Sequence, residues 1–408
     1  MPKVLFINPA KNYGSTGKIV EQIGLLAESK GWKTCLVHAA RYNRQSKLTC
    51  IKVGNVLIEK IHALMANLFD SQGLHSYFAT RKAIRQIKKF SPDIIHLHNI
   101  HGYFLNYPLL FKYIAKYNIP VIWTMHDCWS FTGHCTYFDL VDCNKWKTGC
   151  HHCNNLNNYP QSVLLDRSKE NYALKKAFFT SVNDITMVPV SKWLGDMTKQ
   201  SFMGKYPIYV IHNGIDIDVF RLKENNLRQQ LNLNGKYVVL GVSSNGFSGR
   251  KGLCDFIRLS NLLPDNYKII MIGMTDRELK QIPKNIIGLK RTSNVEELVD
   301  YYNLADVFIN PTYSDNFPTT NIEALACGTP VITYKTGGSP EAIDNSTGVV
   351  VKRGDITGMK NAIEMLCLET EKQKEHRRES ARNRAIKLFN KNDRFNDYIK
   401  LYQSILNE

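Results

Sequence analysis

The sequence predicts an α/β protein of two doubly wound domains, each a parallel sheet covered by helices on both faces. Short apolar runs of strand length alternate with polar or helix-patterned stretches, as expected of parallel strands buried on both sides. The alternating series occurs twice within 408 residues, a length that accommodates two or three domains of ~150 residues. Gly and Pro interrupt the pattern between Ser201 and Pro207, just before the second series begins. The first domain is therefore expected over residues 1–205 and the second over 206–385, with a closing segment over 386–408.

In the first series the runs are VLFIN, TCLVH, DIIHLH and PVIWT. VLFIN leads into NYGSTGKIV, residues Asn12 to Val20, where a glycine-rich turn enters a helix with Ile19, Ile23 and Leu26 at helical spacing. This is not a Walker A loop, because Asn12 stands where the first glycine belongs and Ile19 where a hydroxyl is needed to hold magnesium. Gly14, Ser15, Thr16 and Gly17 are left with two readings: an anion-accepting helix start, or an ordinary βα turn. From Leu57 to Phe90, apolar residues are followed by the basic stretch TRKAIRQIKKF. That pattern suits either a helix packed into its own domain or one lying on an anionic membrane. The second series reads IYVIHNG, YVVLGV, YKIIMIG, DVFIN and PVITY, and EKQKEHRRESARNR near the end alternates charges like a solvated helix face.

A formal charge of +17 and a pI near 9.3 imply an anionic partner. No nucleic-acid-binding signature accompanies the charge, so nucleic acid is not expected. MPKVLFINPA is a short strand rather than a secretory signal, and no apolar run approaches the ~20 residues of a membrane span. The expected location is the cytoplasm, or the cytoplasmic face of a membrane. There the ten cysteines should be thiols or metal ligands more readily than disulfides.

In open α/β sheets ligands bind beyond the carboxyl ends of the strands, and with two such domains the cleft between them is the default site. The residues after the runs are accordingly polar: His98, Asn99 and His101; His126 and Asp127; His212, Asn213 and Asp216; Ser243, Ser244 and Asn245, then Arg250 and Lys251. One histidine in such a place is usually structural; with the polar stretches TYSDNFPTTN after DVFINP and KTGGSPE after VITY, six consecutive polar strand ends are hard to assign to packing. An insertion near residues 128–160 carries Cys135, Cys143, Cys150 and Cys153. These four thiolates would suit a structural, tetrahedral zinc stapling the insertion beside the acceptor side of the cleft. Free thiols, or substitution by His134, His151 or His152, are the alternatives.

The most specific stretch is SDNFPTTNIEALACGTPVITYKTGGSPE. It resembles the donor-site signature of retaining nucleotide-sugar glycosyltransferases of family four, which have the GT-B fold. Members carry two acids separated by seven residues, the second opening an EAxACGxPV segment, followed by a GG…E turn. Here the second acid is Glu323 and the first is Asp315, where most members have Glu. NGIDIDVF (Asn213 to Phe220), RKG and HLHNIHG also resemble family motifs, so the likeness spans most of the chain.

The resemblance implies a transfer of sugar from a nucleoside diphosphate sugar, UDP- or GDP-linked, to a glycan or lipid-linked acceptor, as in bacterial surface polysaccharide assembly, with no cofactor required. Glu323 would accept both ribose hydroxyls, for which a charged acceptor is well suited, and would lie in a helix over Ile322 to Ala326. Asp315, one methylene shorter than the usual Glu, would reach the sugar hydroxyls. Phe317, Pro318, Thr319, Thr320 and Asn321 would form a loop whose helix-entry amides face the diphosphate, with Asn213 and Gly338 alongside. Lys251 would stabilise the departing diphosphate. The family's second cation usually lies several residues earlier, where this chain reads SSNGFSG, and Arg250 is the candidate replacement. His126 would contact the sugar and the transition state rather than act as general base. Gly14 to Gly17 and His98 would shape the acceptor and phosphate region. FNDYIKLYQSILNE would be a helix crossing back to the first domain, with Phe395, Tyr398, Leu401 and Ile405 on one side. A scaffold protein lacking turnover and an epimerase of the same fold are the competing readings.

Overall fold

The computed structural model describes residues 1–244 and 246–407, so Asn245 lies outside the described residues. Two compact units divide the chain. The first comprises Met1 to Ile211 and the segment from Phe395 onward; the second is His212 to Arg394.

The first unit contains β1 (Lys3–Ile7), α1 (Gly14–Ser29), β2 (Lys33–His38), β3 (Cys50–Lys52), α2 (Val56–Phe69), α3 (Tyr77–Phe90), β4 (Ile94–Leu97), α4 (Tyr107–Tyr117), β5 (Val121–Met125), α5 (Ser168–Phe179), β6 (Ile185–Pro189) and α6 (Lys192–Gln200). All strand pairs are parallel, in the order β3-β2-β1-β4-β5-β6. Its central strands are buried on both faces, β5 over its whole length, which is why they read as unbroken apolar runs. Helices α2 and α4 start at side-chain caps: Asn55 accepts from the Ile58 amide and Asn106 from the Leu109 amide.

The second unit contains α7 (Leu227–Gln230), β7 (Tyr237–Val242), α8 (Leu253–Leu262), β8 (Tyr267–Ile272), α9 (Asp276–Leu279), β9 (Ile286–Leu289), α10 (Val295–Leu304), β10 (Val307–Asn310), α11 (Thr319–Ala326), β11 (Val331–Tyr334), β12 (Gly348–Val351), α12 (Ile356–Cys367) and α13 (Glu371–Phe389). Its sheet is again parallel, β12-β11-β10-β7-β8-β9. Both sheets thus reverse direction beside their first strand, between β1 and β4 and between β7 and β10, where such folds bind ligands. The last helix, α14 (Lys391–Asn407), begins in the second unit and ends in the first. There Phe395, Tyr398, Ile399 and Tyr402 join the core formed by Val4, Phe6, Ile94 and Ile122, each burial contributing ~1.5–3 kcal/mol.

Three expectations change. IYVIHNG opens no strand of the second sheet: Ile208 bridges Met187, and the Ile211 amide donates to the Pro189 carbonyl at 3.2 Å, so this run closes the first unit. The division therefore falls after Ile211 rather than after Lys205. Gly14 to Gly17 are not a loop but the first turn of α1. Gly14 enters it at φ +65°, and Gly17 packs so that a Cβ would sit 3.0 Å from the Ala10 carbonyl oxygen. Finally, α11 starts at Thr319, so Glu323 lies inside the helix rather than near its beginning.

Candidate functional site

In the second unit, β10 ends at Asn310 and the chain turns through Asp315 into α11. The Asp315 Oδ2 accepts from Lys251 Nζ at 2.6 Å and from Arg250 Nη1 at 3.3 Å. An extended segment would point these neighbouring side chains apart. Here Gly249–Lys251 is a 3₁₀ turn ended by Gly252 at φ +79°, and both cations reach one carboxylate. A Cβ on Gly252 would lie 2.4 Å from the Pro311 carbonyl oxygen, so only glycine lets the turn lie against the strand end. Burial pushes the Asp315 carboxyl up, but the Lys251 ammonium and Arg250 guanidinium outweigh it and hold it below the ordinary range.

The Gly337 and Gly338 turn backs this acid. The Gly338 amide donates to the Asp315 carbonyl at 3.2 Å, and a Cβ on Gly337 would lie 1.9 Å from the same oxygen. Eight residues after Asp315, Glu323 Oε2 accepts from the Tyr302 hydroxyl at 2.9 Å. Tyr302, on α10, is fully buried; burial and the Glu323 charge push its phenol well up, so it remains a donor.

Of the loop residues, Phe317 is buried against His212 and Phe389, and its carbonyl accepts from Asn213 at 3.4 Å. The Asn321 side chain is turned into the core, bonding Asn310 and Ser339, and its amide donates to the Pro318 carbonyl. Phe317 and Asn321 thus shape the segment, while Pro318 caps α11 and Thr319 and Thr320 form its half-buried first turn.

In the first unit, β4 and β5 deliver His98 and His126 side by side. Their rings stack at 5.3 Å with His98 Nδ1 and His126 Nε2 3.0 Å apart. Burial lowers His126 to about 4, with Asp127 opposing and His101 assisting. Burial also lowers His98 well below the ordinary range, with His96 and His126 adding to it. Both rings are neutral at pH 7. His98 Nε2 is buried with no hydrogen-bond partner among the described residues. Beneath them His96 bonds the Tyr402 hydroxyl of α14 at 2.6 Å and Thr124 at 2.7 Å. Beside them His101 Nε2 meets Asp127 Oδ2 at 2.7 Å, and its Nδ1 meets the Tyr159 hydroxyl at 3.1 Å. His98, His101, His126, Asp127 and Trp129 line one recess. Tyr302, Tyr159 and Tyr402 carry no signal in the sequence as partners of these groups, because each meets its partner only through tertiary packing.

Of the four thiolates expected to hold zinc, the Cys135 and Cys153 sulfurs lie 3.6 Å apart, Cys150 Sγ accepts from the Gly133 amide, and the Cys143 amide donates to the Phe138 carbonyl. Among the described residues no three or more His, Cys, Asp or Glu side chains converge as a metal site. Other contacts hold the insertion: Phe131, Phe138 and Trp146 form an aromatic cluster. His134 pairs with Asp70 at 2.6 Å, and the buried Lys175 donates to the Trp129 and Thr132 carbonyls.

Two parallel sheets of this order, with carboxylates and cations gathered beyond the β10 end and histidines beyond β4 and β5, define the GT-B class. Solved structures agree. Sucrose-phosphate synthase from Thermosynechococcus elongatus superposes with a TM-score of 0.75 at 19% identity, over 100% of this chain and 99% of that one. Anabaena HepE in complex with UDP and glucose does so with a TM-score of 0.69 at 14% identity, over 99% and 100%.

Residues 55–219 match the family described as Glycosyltransferase Family 4, and residues 223–384 match Glycosyl transferases group 1. Between them the two matches run over most of the chain, which is thus similar to glycosyltransferases along both units. Among curated relatives, WcaC of Escherichia coli K12, named for colanic acid biosynthesis, is 26% identical over 272 residues, 65% of each chain. The capsular polysaccharide biosynthesis glycosyltransferase CapM of Staphylococcus aureus is 27% identical over 212 residues, 48% of this chain and 54% of CapM. The matches therefore span under two thirds of either relative's length.

Proposed function

We propose that the protein is a retaining glycosyltransferase moving a sugar from a nucleoside diphosphate sugar to a glycan or lipid-linked acceptor in surface polysaccharide assembly, at the cytoplasm or the cytoplasmic face of a membrane. The observation that carries this reading is Asp315 holding Lys251 and Arg250 together at the β10 end, eight residues before a Glu323 oriented by Tyr302. Glu323 would take the ribose hydroxyls. Lys251 and Arg250 would stabilise the diphosphate as the bond between the anomeric carbon and its phosphate oxygen breaks. The acceptor oxygen would bond to that carbon on the same face and give its proton to the departing phosphate.

Asp315 would then serve twice, orienting both cations and meeting a sugar hydroxyl. With its ring lowered to about 4, His126 would be a neutral hydrogen-bonding group at pH 7 rather than a proton source. The names of WcaC and CapM support polysaccharide assembly as the context, and the HepE complex supports UDP as the first nucleotide to try.

The test is thermal stabilisation by UDP, GDP, ADP and dTDP of the wild type and of Glu323→Ala. A ligand that binds only the folded chain adds ~2.7 kcal/mol at a hundredfold excess over Kd. One nucleotide should stabilise the wild type and not the variant. A cooperatively melting wild type that no nucleotide shifts would overturn the reading in favour of a scaffold.

A further inference from the structure

Beyond β7 the chain meets a carboxylate of its own. Glu278, in the short helix α9, is 1% exposed. Its place three residues after Thr275 is that of a capping-box acid, and its Oε2 accepts from the Thr275 amide at 2.9 Å. Its Oε1 does what no cap requires. It accepts from the Phe247 amide at 2.7 Å, the Ser248 amide at 2.6 Å and the Ser248 hydroxyl at 2.6 Å. Burial pushes this carboxyl up, but the Ser248 hydroxyl and the three amides outweigh it and hold it at about 2. Glu278 is therefore an anion at neutral pH.

Consecutive amides aimed at one oxygen, with a hydroxyl beside them, make the kind of concavity that takes a phosphate. Here the chain fills it with its own acid. Gly246 permits the close approach: at φ +82° a Cβ there would lie 2.8 Å from Glu278 Oε2, and the Gly246 amide donates to the Gly273 carbonyl at 2.9 Å. Phe247 is buried against Phe256 of α8, and its carbonyl accepts from the Leu253 amide at 3.0 Å. A phosphate enters this concavity only by displacing the carboxylate.

The segment so fixed leads into the turn that carries both cations. Ser248, held by Glu278 at its amide and its hydroxyl, flanks the 3₁₀ turn Gly249–Lys251. On the other side, the Arg250 carbonyl accepts from the Tyr313 amide at 2.7 Å, two residues before Asp315. The turn is pinned between Glu278 and the β10 end, with Lys251 and Arg250 directed at Asp315.

We infer that Glu278 is a positioning residue for the donor's diphosphate: by filling the amide concavity beyond β7 it fixes the turn that presents Arg250 and Lys251, and leaves the diphosphate to those two cations. The inference rests on the proposed transfer from a nucleoside diphosphate sugar, and it adds a residue that acts only through others.

The experiment is calorimetric titration with UDP, GDP, ADP and dTDP, and with the corresponding monophosphates. The proteins are wild type, E278Q, E278A, E323A, and the variant combining R250A and K251A, with and without E278Q. The ratio of diphosphate to monophosphate affinity reads the hold on the terminal phosphate, which a general loss of stability does not change. Wild type should favour the diphosphate of one base. E278A should lower the ratio at least about tenfold, and E278Q, of the same shape and retaining one acceptor oxygen, about threefold. Once Arg250 and Lys251 are removed, E278Q should change the ratio no further. Cooperative melting and unchanged monophosphate affinity show that E278Q is folded, so it carries the test even if E278A is not. An unchanged ratio in folded E278Q, tighter diphosphate binding by E278A, or an equal effect of E278Q with and without the cations would overturn the inference while leaving the donor reading intact. A folded wild type that binds no nucleotide, or an E323A variant that binds as wild type does, would overturn the donor reading and this inference with it.

Discussion

Lowering the pH from 7 to 5 should unfold the first unit selectively, because its buried histidines are folded in the neutral form. Burial lowers His62 to about 3, with His75 adding to it, and His126 to about 4, and it lowers His96 and His98 as well. An unfolded histidine titrates at ~6.5. As pH falls below that value the unfolded chain takes up protons that the folded chain refuses, so stability declines until the folded rings also protonate. At pH 5 linkage gives ~2 kcal/mol lost for His62 and ~2 kcal/mol for His126, with His96 and His98 acting in the same direction. Against a typical stability of ~5–15 kcal/mol, the sum is enough to bring the unit near its midpoint. All five tryptophans lie before residue 212, so tryptophan fluorescence during urea denaturation reports on this unit alone. The urea midpoint should fall steeply between pH 7 and 5, and H62Q should lose part of that dependence. A flat midpoint over this range, or a His126 ring proton resonance titrating near 6.5, would refute the argument.

Tyr302→Phe should weaken nucleotide binding roughly tenfold with little change in shape, since a hydrogen bond to a charged group contributes ~1.5–3 kcal/mol; unchanged affinity by calorimetry would mean that the phenol does not orient Glu323. Asp315→Asn should lower transfer by at least about tenfold, because it loosens the placement of Lys251 and Arg250 and removes a charged partner of the sugar; an unchanged turnover rate would remove Asp315 from the site. Gly337→Ala should cost more than the ~1–3 kcal/mol of left-handed strain alone, because its methyl meets the Asp315 carbonyl, and a thermal melt within a degree or two of wild type would contradict that. Burial lowers Lys175 to about 7 from an ordinary 10.5, so the unfolded chain holds its proton longer and wild-type stability should rise from pH 7 towards 10; Lys175→Met should lack that rise in a urea series.

The parts of the fold that sequence reading recovered are those in which local pattern and tertiary burial coincide. VLFIN, TCLVH, DIIHLH, PVIWT, YVVLGV, YKIIMIG, DVFIN and PVITY became β1, β2, β4, β5, β7, β8, β10 and β11, because strands buried on both faces have no polar alternation to obscure them. The short β3, β9 and β12 went unread, as did β6, whose ITMVP is apolar but closes on a proline. IYVIHNG has the pattern of a strand of the second sheet, yet it bridges β6; an apolar run does not state its partner. The cysteines show a related limit: spacing offers ligands, but whether four sulfurs point at one centre depends on the backbone path between them.

What the sequence determined by itself was the class of fold; it also named Asp315 and Glu323 and the cations at 250 and 251 as candidates, because these lie in short segments whose chemistry is local. Tertiary structure alone decided which groups hold them. Tyr302 reaches Glu323 from another helix, the 3₁₀ turn lets Arg250 and Lys251 share Asp315, and the Tyr402 of α14 returns from the far end of the chain to bond His96. It also decided that α2 turns its leucines outward: hydrophobic periodicity marks an apolar face but not which way it points, and here the buried bonds of Glu59 and His62 set the direction.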